Sequence, residues 1–139
     1  MAGLRTVLRL LLLHHHRSKV PTGFLPLDRI ESVAILRTPD EYAVDRMMKD
    51  FFTSRGIRVR LMSKKDKNLL SNEDLFICLL AEPDIDELYA AVCSKAKFKI
   101  GTHNLVKDVY NIVVTVTKDS DARQVAIFET IADLLEKIR

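Results

Sequence analysis

Seven side chains of this 139-residue chain are of types that do chemistry: Thr38 and Asp40, Glu82 and Asp84, and Thr102, His103 and Asn104. Each set stands just past an apolar run that reads as a β-strand. In an open α/β sheet, ligands bind beyond the carboxyl ends of the strands, where the strand order reverses. The seven are therefore the candidate lining of one ligand crevice. His103 beside Glu82 or Asp84 would make an acid–base pair, because a carboxylate orients an imidazole and favours its protonated form. No residue is given a catalytic or metal-ligating role.

Several other chemistries are excluded by residue type. The turn after the first apolar run has no glycine, and Pro39 has no N–H to offer a phosphate, so a dinucleotide-binding loop is not expected. A receiver-type phosphoacceptor would need paired acids where Arg37-Thr38 stands and an aspartate where Leu80-Ala81 stands, although Thr102 and Lys118 suit its other positions. No GxSxG elbow, HExxH, CxxC or phosphate-binding P-loop occurs. His14, His15 and His16 are consecutive, so on a helix they diverge by about 100° each and cannot share an ion. Cys78 and Cys93 read as buried small side chains in a reducing compartment. No cofactor is implied.

The positioning elements follow from periodicity. Residues 32–37 and 74–80 are continuous apolar runs between the polar ends Ser32, Arg37 and Asp74, the pattern of strands covered on both faces of a parallel sheet. Thr38, Pro39 and Glu41 predict a capping box with proline in the first helical turn. Val44, Met47, Met48 and Phe51 then form one helical stripe, closed by Gly56. Ile57, Val59 and Leu61 alternate with Arg58 and Arg60, predicting a half-exposed strand near an edge. Lys64-Lys65-Asp66-Lys67 reads as a solvated turn.

After the acidic helix entry at residues 82–87, Ile85, Leu88, Tyr89 and Val92 set a second stripe. Ala96, Phe98 and Ile100 alternate with Lys95, Lys97 and Lys99, predicting a strand with one buried and one wet face. A fifth, β-branched strand over 111–117 and a helix with Ile127, Ile131, Leu134, Leu135 and Ile138 complete the series. The fold class expected is three-layer α/β with a mostly parallel five-stranded sheet of flavodoxin-like, Rossmann-like order 2-1-3-4-5.

The expected organisation is a basic amphipathic helix over 1–19, a linker over 20–30 punctuated by Pro21, Gly23 and Pro26, and a single α/β domain over 31–139. Arg5, Arg9 and Arg17 segregate from the leucines, as suits a helix lying on a partner protein or a membrane surface. The leucine run is far short of the roughly 20 residues of a membrane span, and Arg9 interrupts a would-be signal peptide. The formal net charge is +3, from 22 basic and 19 acidic residues. That excess is too small to indicate specific nucleic-acid binding.

The string from Ser94 to Gly101, SKAKFKIG, with Asp74-Leu75-Phe76-Ile77 before it, resembles a small bacterial family known only as a domain of unknown function. The resemblance implies an N-terminal basic helix, one α/β domain and a cytoplasmic setting, without an activity. More distantly, residues 33–37, the DLFI strand and the KFKIG strand are similar to the acceptor-side half of heptosyltransferase-like glycosyltransferases. In those enzymes a Gly-Asp pair follows the first strand, where this chain has Pro39-Asp40. Two functions are expected: a non-catalytic binding or adaptor domain of the cytoplasm, held near a partner protein or the inner membrane surface by its basic helix, and alternatively a sugar- or nucleotide-related transferase-like half.

Overall fold

The two fully apolar runs lie side by side at the centre of the sheet, as a strand with no polar face must. In the computed structural model, which describes residues 18–39, 42–80, 84–103, 109–115 and 123–138, β1 (Ser32–Leu36) pairs in parallel with β3 (Leu75–Cys78). Val33 stands opposite Leu75, and Leu36 opposite Cys78. On its other side β1 pairs with β2 (Arg58–Met62), which alternates exposed and half-buried residues until Met62. β4 (Phe98–Gly101) and the two-residue β5 (Ile112–Val113) continue the sheet beyond β3, all parallel, in the order 2-1-3-4-5.

Successive residues of each strand point to opposite faces. Val33, Ile35, Ile77, Phe98 and Ile100 meet α1 (Tyr42–Thr53) and α3 (Gln124–Lys137). Phe51, Phe52 and Phe128 pack edge to face there, with centroids 4.9 to 5.9 Å apart. Ala34, Leu36, Phe76 and Cys78 meet α2 (Ile85–Cys93), whose Tyr89, Ala90, Val92 and Cys93 are buried. Two helices on one face and one on the other make the expected three layers.

The capping box expected at Thr38 includes Glu41, which lies outside the described residues; α1 is described from Tyr42. The Gln124 side chain takes both backbone groups of Thr38, accepting from its N–H at 2.8 Å and donating to its carbonyl at 3.0 Å. The amide acts as a substitute strand edge for Thr38.

One local expectation is corrected: the wet lysine face of the fourth strand is absent. β4 begins only at Phe98, Lys95 and Lys97 precede it in exposed positions, and Lys99 is buried. Its amine donates to the Ala91 carbonyl at 2.8 Å, one of the last carbonyls of α2, where a cation suits the helix dipole.

Residues 18–30 lie on the domain. The Ser18 N–H donates to the Val92 carbonyl and that of Gly23 to the Lys97 carbonyl. The Phe24 ring stands 5.6 Å from that of Phe98, and Leu25 and Leu27 pack on the core. The basic helix, the histidine tract and Arg5, Arg9 and Arg17 fall outside the described residues.

Candidate functional site

Of the seven crevice residues, Thr38, Asp84, Thr102 and His103 are described, while Asp40, Glu82 and Asn104 lie outside the described residues. The four stand at the carboxyl ends of three strands, and each has its own hydrogen-bond partners. Thr38 is held by Gln124 at the end of β1. Asp84 is the N-cap of α2: its Oδ1 accepts the Glu87 N–H at 2.9 Å, and its Oδ2 is paired with Lys64. That hydrogen bond, foremost, raises the Lys64 pKa. Asp84 and His103 make no hydrogen bond or ion pair with each other, so the expected acid–base pair is not formed between them.

Thr102 and His103 do belong together. The buried Thr102 hydroxyl donates to the Leu80 carbonyl at 2.6 Å, tying the end of β4 to the end of β3. On the same oxygen, His103 Nδ1 makes a second contact at 2.9 Å.

A buried cluster beside them escaped sequence reasoning. Glu87, in the first turn of α2, is 0% exposed. The Tyr110 hydroxyl donates to its Oε1 at 3.0 Å, and its Oε2 receives no hydrogen bond from any described residue. The Cys78 thiol, at the end of β3, interacts with both groups. Burial pushes the Glu87 carboxyl above its ordinary range, with the Tyr110 and Cys78 contacts and the nearby His103 opposing the shift. Burial, then the Glu87 charge, lifts the Cys78 thiol far up, so it stays protonated and is no nucleophile. Tyr110 is raised likewise, by burial first and then by Cys78 and Glu87.

Gly101 makes room for this cluster. A Cβ there would stand 2.3 to 2.7 Å from three ring atoms of Tyr110, so only glycine lets the ring lie against β4. One sequence signal was available. Residues 88–93 of α2 are apolar nearly all round, the mark of a helix too buried to leave Glu87 in water.

Arg37, past the end of β1, is also engaged with its own scaffold. Arg37 binds Asp45 of α1 through two parallel hydrogen bonds of 3.0 and 2.9 Å and donates to the Met62 carbonyl at 3.2 Å. At the opposite, amino-terminal edge, residues 31–33, 58–60 and 72–74 line a shallow hollow of about 490 Å³. Its charges are largely matched: Arg60 pairs with Glu73, and Asp74 accepts the Glu31 N–H.

The SKAKFKIG string is built into the scaffold. Ser94 Oγ accepts from Ser71 Oγ at 2.7 Å and from the Ala96 N–H at 3.2 Å, pinning the turn between α2 and β4. Among the described residues, no three His, Cys, Asp or Glu side chains converge as a metal site, and no helix is long and apolar enough to cross a membrane. The chain matches no family model, no curated protein and no solved structure.

Proposed function

We propose that the chain is a non-catalytic α/β binding domain of a bacterial cytoplasm, docked at the inner membrane surface through Arg5, Arg9 and Arg17. The observation that supports the non-catalytic half is the engagement of three described groups at the carboxyl edge, Thr102, Asp84 and Cys78, with their own scaffold. The Thr102 proton is spent on Leu80, Asp84 on a helix cap and Lys64, and Cys78 holds its proton in the interior. A group that moves protons on a substrate must be free to exchange them. Docking is supported by the segregation of arginine and leucine over residues 1–19, the composition of a surface-lying helix.

Two measurements test the proposal on the full chain. Cell fractionation of wild type against the triple variant Arg5→Glu, Arg9→Glu, Arg17→Glu should move the protein from the membrane fraction to the soluble one with its circular dichroism unchanged. Incubation with a panel of nucleotide sugars should release no nucleotide. Turnover of any panel member would replace this reading with the transferase-like one, and equal fractionation of the two proteins would remove the docking.

A further inference from the structure

A threonine hydroxyl has one proton, and a backbone carbonyl can only accept. At Thr102 that proton lies on the 2.6 Å bond to Leu80, so toward His103 the oxygen can act only as an acceptor. The His103 Nδ1 that meets it at 2.9 Å must then carry hydrogen. A neutral imidazole with Nδ1–H has a bare Nε2. That nitrogen makes no hydrogen bond to any described residue, and His103 is half-buried at the carboxyl end of β4, two strands from β1 and next to the reversal of strand order.

We propose that Thr102 is a positioning residue that fixes His103 as the Nδ1–H tautomer, so that Nε2 is a ready acceptor for a hydroxyl or N–H donor of a small polar ligand. The chain Leu80 carbonyl, Thr102 hydroxyl, His103 Nδ1–H has the logic of a carboxylate orienting an imidazole, with neutral groups throughout. A neutral orienter suits recognition: it fixes the lone pair's direction without adding charge. The role concerns His103 alone and does not depend on the membrane docking proposed above.

The experiment is long-range ¹H–¹⁵N correlation of the histidine side chains in the full-length protein, at about pH 8, where free imidazole is neutral. Wild type should give the His103 pattern of a protonated Nδ1 and a bare Nε2, opposite to the Nε2–H form that free histidine favours. Thr102→Val should return His103 to the Nε2–H form, and Thr102→Ser should restore the wild-type pattern. A wild-type Nε2–H pattern overturns the proposal, whether or not either variant folds.

With the tautomer confirmed, titration with glucose, adenosine and UDP-glucose at millimolar levels should move the Nε2 resonance in at least one case while Nδ1 stays protonated. No movement with all three overturns the recognition role and leaves the pair as scaffold. Release of UDP instead would bear on the non-catalytic reading, not on the tautomer.

Discussion

Gly101→Ala tests the packing that builds the carboxyl edge. The new methyl carbon would lie 2.3 Å from the Tyr110 Cζ and 2.4 Å from Cε2, against ordinary carbon contacts of roughly 3.5 to 4.0 Å. The ring must retreat by about 1 Å or more, and the Tyr110 bond to Glu87, 3.0 Å long, cannot survive that retreat. Overpacking costs about 1–3 kcal/mol. Losing a hydrogen bond on a buried carboxylate adds about 1.5–3 kcal/mol. A loss of about 3–5 kcal/mol is expected in urea unfolding followed by circular dichroism, a large share of the stability of a domain this size. In a Tyr110→Ala background the same substitution should cost under about 1 kcal/mol, because the obstacle is gone, giving a coupling of about 2 kcal/mol or more. A Gly101→Ala loss below about 1 kcal/mol, or additive single effects, would refute the reasoning.

Glu87, with its raised carboxyl, adds stability that is full below the unfolded-state pKa of about 4.3 and is lost as pH rises through the higher folded value. Glu87→Gln should abolish that part of the decline in urea midpoint as pH rises above about 4.3. Cys78 and Tyr110 add stability present below their unfolded pKa values, about 8.5 and 10, and lost as pH rises through the folded ones, so Tyr110→Phe should flatten the alkaline limb. Asp45→Ala strands the Arg37 guanidinium, whose side chain is 12% exposed, and should cost about 3 kcal/mol by denaturant titration. Ser94→Ala removes the acceptor of the buried Ala96 N–H and should cost about 1–3 kcal/mol by the same measurement.

Strand order was legible because burial imposes it: between their polar ends, runs 32–37 and 74–80 have no face to give to water, and the Arg58–Arg60 alternation marks β2 as an edge. Lys99 misled for a specific reason. Its charge reads as a wet face, whereas its stem can be buried and its amine satisfied by the end of α2, a helix neighbour that strand alternation does not encode. At Thr38 the backbone partner is Gln124, 86 residues away in sequence, which no local pattern encodes. Topology placed Thr102 and His103 past the carboxyl end of β4, where they stand. It could not show that Asp84 would be taken by Lys64, nor that Glu87, Tyr110 and Cys78 would meet, because those contacts join α2, β3 and the approach to β5 through packing alone. Gly101 carried part of that information, as a residue whose missing side chain leaves space for an aromatic ring.

Binding to lipid vesicles as a function of salt tests the central claim most directly. Basic residues near an anionic surface contribute about 1 kcal/mol each, so removing Arg5, Arg9 and Arg17 should weaken partitioning by roughly two orders of magnitude. The full chain should co-float with vesicles containing phosphatidylglycerol at low ionic strength, release as salt is raised, and ignore purely zwitterionic vesicles. Failure of the wild-type chain to float with anionic vesicles at low salt, or flotation unchanged in the triple glutamate variant, would contradict the account.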